Sequence, residues 1–112
     1  MRGNYNFKDE AERYFWKVFI ETKIEYLINN ADTIDDVDLS DVDICPYQLY
    51  QLLEEDLGYE RTSSDMNGWE QDTWYHFYNE EKNVALCVFS CGMTFELKIM
   101  LTERRIGEDD DY

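Results

Sequence analysis

The sequence predicts an α+β fold: two N-terminal helices packed on one face of a three- to four-stranded antiparallel β-meander. Three observations lead there. Apolar residues recur at intervals of three and four through the N-terminal half, and the period switches to two from Tyr59 onward. Turn signals crowd the second half, at Asn67-Gly68, Asn79 to Lys82 and Cys91-Gly92. A chain of 112 residues with 44% apolar and 16% aromatic side chains has core material for one domain, 1–112, whose last residues, 106–112, read as a frayed acidic tail.

The first helix is expected from Phe7 to Ala31, with Asn6 as its N-cap and Asp9 three positions on. Two apolar stripes run along it. Phe7, Ala11, Tyr14, Phe15, Val18 and Thr22 form one, and Trp16, Ile20, Ile24, Leu27 and Ala31 the other. An arc that wide belongs to a helix covered on both sides, by a small sheet and a second helix, or to one that meets a partner.

Residues 32–45 fit neither period and read as an ordered connection holding one helical turn. Pro46 suits the first position of a second helix that runs through Leu57, with Gly58 as its stop. Glu54, Glu55 and Asp56 at its end oppose the helix dipole, so their charge has another use. Two-residue loops at Glu80-Glu81 and Cys91-Gly92 would set Phe77 against Val84, Tyr75 against Leu86, Val88 against Phe95 and Leu86 against Leu97. One sheet face is then apolar. The other carries Trp74, His76, Tyr78, Ala85, Cys87, Phe89, Glu96, Lys98 and Met100.

The net charge of -16 is regional. The first helix nearly balances Asp9, Glu10, Glu12, Glu21 and Glu25 against Lys8, Arg13, Lys17 and Lys23, whereas Asp32 to Glu60 holds no Lys or Arg. Such a surface repels nucleic acid and anionic membrane and steers association toward basic partners. No apolar run is long enough for a membrane span, and the N-terminus lacks a signal-peptide core, so a cytoplasmic protein is expected. Cys45, Cys87 and Cys91 sit in apolar surroundings, as reduced packing thiols do.

Chemistry has little to stand on. Asp36, Asp38 and Ser40 imitate the start of a calcium loop, but Asp41 stands where the turn glycine belongs and Tyr47 where the closing Glu belongs. Cys87 and Cys91 lie roughly 13 Å apart along a strand, too far to share a zinc ion with His76. In the expected register His76 faces Ala85 and is only diagonal to Cys87, which disfavours a nucleophile pair. No phosphate loop or nucleophile elbow occurs. The expectation is therefore no catalytic residues, no metal and no cofactor.

Carboxylates two apart on a strand lie roughly 6.5 to 7 Å from each other, of the same order as successive phosphates. Asp36/Asp38, Asp41/Asp43 and Glu70/Asp72 supply that alternation, with aromatic anchors beside them. The expected partner-binding set is Asp35, Asp36, Asp38, Asp41, Asp43, Glu54, Glu55, Asp56, Glu70, Asp72, Trp69, Trp74 and Tyr78. In size, acidity and helix-plus-sheet pattern the chain resembles the small phage-encoded inhibitors of host nucleases, anti-CRISPR and anti-restriction DNA mimics among them. The resemblance implies a stoichiometric inhibitor that occludes a basic nucleic-acid-binding groove. Immunity proteins against nuclease toxins share the same physics. An alternative from another class is a homodimer or assembly-docking protein, using the second helix stripe with the Trp74, Tyr78 and Phe89 face, in which acidity serves solubility alone.

Overall fold

Asp9 caps the first helix: its side chain accepts a hydrogen bond from the Glu12 N–H at 2.8 Å. The computed structural model describes residues 7–67 and 72–102, so the expected cap Asn6, the turn residue Gly68 and the tail 106–112 lie outside the described residues. Helix α1 spans Glu10–Asn29, strand β1 Asp36–Asp38 and helix α2 Pro46–Gln51. A π-helical turn follows at Leu52–Asp56, and then come β2 Glu60–Asn67, β3 Asp72–Asn79, β4 Val84–Cys91 and β5 Glu96–Leu101. The class is α+β.

The strands form one antiparallel sheet of five, in the order β1-β5-β4-β3-β2, rather than three or four. The added strand is β1, from the segment expected to be a connection. Val37 is drawn into the core at 8% exposure while Asp36 and Asp38 face away from it, so this short stretch satisfies a period of two. Ser40 stitches it to its neighbour: Leu97 N–H donates to Ser40 Oγ at 3.0 Å, and Leu39 N–H donates to the Leu97 carbonyl at 2.7 Å.

The α-helical part of the second helix is shorter than expected. Cys45 N–H donates to Gln48 Oε1 at 3.0 Å and Pro46 opens the helix, but after Gln51 the turn widens. Leu57 N–H then donates to the Leu52 carbonyl at 2.9 Å, five residues back. The wide turn keeps Leu52 and Leu53 both fully buried beside Leu49, and burial of each such side chain stabilises by roughly 2 kcal/mol. Gly58 ends it at φ +81°, a conformation that costs other residues strain.

Both hairpin loops are longer than expected. Asn79 pairs with Val84 and Cys91 with Glu96, leaving four-residue turns at 80–83 and 92–95. The partners shift accordingly: Phe77 opposes Leu86, Tyr75 opposes Val88, Val88 opposes Ile99, and His76 opposes Cys87 rather than Ala85. The slips are even-numbered, so each side chain except that of Phe95 keeps its expected face. Tyr75, Phe77, Leu86, Val88, Leu97 and Ile99 pack against α1, α2 and the π-turn.

Only one stripe of α1 joins that core. Ile20, Ile24 and Leu27 are buried and Trp16 packs against them, whereas Tyr14 is 66% exposed, Phe15 57% and Val18 40%. The expectation that sheet and second helix cover both stripes is corrected, because the sheet and the π-helical turn both pack on the Ile20–Leu27 side of α1.

Candidate functional site

Because directly opposed residues in an antiparallel sheet share a face, the register lines side chains into rows across the face turned away from the helices. One row runs Asp38, Lys98, Phe89, Trp74 and Asp65 across all five strands. Beside it on one side lies Asp36, Met100, Cys87, His76 and Ser63, and on the other Glu96, Cys91 and Asp72. With neighbouring strands roughly 4.8 Å apart, the acids of β1 and β2 stand about 19 Å from each other, with aromatic side chains between them.

The middle of the face is partly apolar. The rings of Trp74 and Phe89 lie 5.3 Å apart at 44°. Cys87 and His76 are buried at 4% and 6% exposure, and His76 Nε2 stands 4.0 Å from Asp65 Oδ2. The structure thus puts a thiol, an imidazole and a carboxylate in neighbouring register positions, an alignment the shorter expected loop concealed. The Cys87 thiol is buried and lines neither the cleft beside Phe95 nor the one beside Tyr59.

At the β1 border Asp38 sits in a turn that favours its ionised form. Asp38 Oδ1 accepts the Ser40 N–H at 2.9 Å, and the bonds from Ser40, helped by nearby Lys98, hold its carboxyl below the usual carboxylate range. That arrangement closes a local turn rather than opening an ion-binding loop. Among the described residues no group of three or more His, Cys, Asp or Glu side chains is placed to hold a metal ion.

The remaining expected residues fall into distinct places. Asp35, Asp41 and Asp43 are exposed on the segments flanking β1, next to Asp36 and Asp38. Asp72 and Trp74 join the outer sheet face, while Trp69 and Glu70 lie outside the described residues. Tyr78 points to the same face but is only 8% exposed, its hydroxyl donating to Asn83 Oδ1 at 2.9 Å. Glu54, Glu55 and Asp56 are elsewhere and engaged. Arg13 grips Asp56 with two bonds of 2.8 and 2.9 Å and reaches Glu55 at 2.9 Å, and Arg61 Nε donates to Glu54 at 3.0 Å. The guanidinium of Arg61 also lies 4.5 Å from the centre of the Tyr75 ring. These ion pairs answer the dipole puzzle: the acids at the end of the second helix fasten it to α1 and β2.

Sequence reasoning missed Asp65, which enters this surface through register alone, whereas Glu96 stands on the face expected of it. Phe95, expected opposite Val88 in the core, is 79% exposed at φ 58° in the turn before β5. It rims a cleft of about 360 Å³ lined by Leu39, Ile44, Cys45, Pro46 and Cys91 among others. A second cleft, of about 350 Å³, is lined by Glu21, Ile24, Leu57, Tyr59 and Lys82 among others. The aromatic residue and its strained backbone form a legible signal only once the turn length is known.

No helix among the described residues is long and apolar enough to cross a membrane. No family model, curated protein or solved structure matches the chain.

Proposed function

We propose that the chain is a non-catalytic acidic inhibitor that occupies the basic nucleic-acid-binding surface of a target protein, of the nuclease or CRISPR-effector kind, in the cytoplasm. The observation that carries this reading is the outer sheet face, where Asp36, Asp38, Asp65, Asp72 and Glu96 border the Trp74–Phe89 pair with Lys98 as the one cation in those rows. Nucleic-acid-binding proteins draw much of their affinity from Lys and Arg set to meet regularly spaced phosphates, and carboxylates on a rigid sheet meet the same cations. Trp74 and Phe89 add anchoring area at low entropy cost. An immunity protein that covers a nuclease toxin would use the same face.

The test is capture of host-cell proteins on the immobilised chain, with a salt gradient and competing duplex DNA, beside a variant carrying Asp36→Lys, Asp38→Lys and Asp72→Lys. Support is a basic nucleic-acid-binding protein that DNA displaces and the variant fails to hold. A partner indifferent to DNA and to the charge reversal ends the reading.

The assembly reading loses the stripe expected to serve it, since Ile20, Ile24 and Leu27 are buried in the core and Trp16 packs against them, but the line of Tyr14, Phe15 and Val18 on α1 is a different, exposed apolar face. It lies on the other layer of the fold.

A further inference from the structure

Helix α1 turns Ala11, Tyr14, Phe15, Val18 and Thr22 outward along one line, and Tyr26 extends it at 53% exposure. Ala11, Phe15, Val18, Thr22 and Tyr26 follow one another by three or four residues, and Tyr14 sits three after Ala11 and four before Val18, so they form one continuous face. A cleft of about 470 Å³ runs along it, lined by this set and by Phe19, whose ring stacks on that of Phe15 at 6.2 Å. We infer that this face is covered by a second copy of the same chain, crossing antiparallel about Val18.

Charge selects the occupant. The chain carries -16, so two copies repel each other over most of their surface. From Phe7 to Ala31 the five acids Asp9, Glu10, Glu12, Glu21 and Glu25 are nearly balanced by the four bases Lys8, Arg13, Lys17 and Lys23. A second copy therefore meets least repulsion at α1, where the apolar stripe lies. A strongly basic partner would be drawn instead to the outer sheet face.

Charge also selects the orientation. Glu25 continues the exposed line one turn beyond Thr22. Side by side in the same direction, two copies would set Glu25 against Glu25 and align the helix dipoles unfavourably. Crossed antiparallel about Val18, Glu25 of each copy lies beside Ala11 of the other, near Lys8. An aromatic side chain presents roughly 150 to 250 Å², so the exposed portions of Tyr14, Phe15, Val18 and Tyr26 come to roughly 400 Å² a copy. Two copies then remove about 800 Å², in the range of weak, transient contacts, which suits a reversible dimer.

The inference stands apart from the proposed inhibition, because salt moves the two in opposite directions: screening weakens binding to a basic surface and strengthens association of two like-charged copies. Sedimentation equilibrium at low and high salt should show a dimer that tightens as salt is added. Phe15→Glu with Val18→Glu should weaken it by tenfold or more while helix content and thermal unfolding stay as in the parent. In a Cys45→Ser background, oxidation should join Val18→Cys to itself and leave Ala11→Cys monomeric. A monomer at every concentration and salt level, a dimer untouched by the double substitution, or cross-linking of Ala11→Cys in place of Val18→Cys would each overturn the inference.

Discussion

Asn79 and Leu57 tie the sheet to the end of the π-helical turn: Asn79 Nδ2 donates to the Leu57 carbonyl at 3.0 Å from a side chain only 2% exposed. Its Oδ1 accepts the Lys82 N–H at 2.9 Å, so one carboxamide holds both the widened helix end and the β3–β4 turn. Replacing Asn79 by Ala leaves a buried carbonyl and a turn N–H without their partner. The expected cost is about 2 to 3 kcal/mol in urea unfolding, and an unchanged midpoint would refute this account of the joint.

The Arg13–Asp56 pair gives a pH signature. Bonding to Arg13 holds the Asp56 carboxyl below its usual range, so its contribution is present above the unfolded value of roughly 3.9 and lost as pH falls through the lower folded value. Both side chains are partly exposed, so Asp56→Asn should cost no more than about 1 kcal/mol at neutral pH. The gap to the parent protein should close as unfolding is followed toward pH 3. A gap that stays constant across that range would mean the pair acts through packing rather than charge.

Salt should raise the melting temperature. Most of the carboxylates lie on exposed segments with few cations near them, and screening relieves their mutual repulsion more than it weakens the ion pairs at Arg13 and Arg61. Scanning calorimetry in increasing sodium chloride reads this directly. A melting temperature that falls would show the ion pairs to dominate.

Phe95 holds a left-handed backbone at φ 58° with its ring exposed, so the folded chain gains little from its size. Asn tolerates that conformation better, and Phe95→Asn should stabilise by about 0.5 to 1 kcal/mol. If the ring is an anchor for the target, the same substitution weakens capture while raising the melting temperature. Lower stability together with unchanged capture would remove Phe95 from the surface's working parts.

The architecture was legible where period alone decides it. The switch after Gly58 from helical spacing to alternation located β3, β4 and β5, and a register slip of two or four positions leaves side chains such as Tyr75 and Leu86 on their expected face. Loop length was not legible, because Asn83 and Phe95 adopt positive φ without being Gly. That hid the opposition of His76 to Cys87. The partition of α1 was equally closed, since Phe15 and Ile20 are alike in apolarity and only the placement of the helix against the sheet and the π-helical turn decides which is covered. In the acidic surface, Asp36, Asp38, Asp72, Trp74 and Glu96 could be named from alternation, whereas Asp65 is added by strand order.

The three residues of β1 have a consequence for how the protein survives at high concentration. They cap the outer edge of β5, whose backbone would otherwise offer an open ladder to any extended chain, and the Asp36 and Asp38 side chains on that cap set charge against an arriving strand. The same two carboxylates that give this border its potential therefore disfavour pairing with another chain. Neutralising both to Asn should leave the fold in place and shorten the time to fibril or precipitate on agitation.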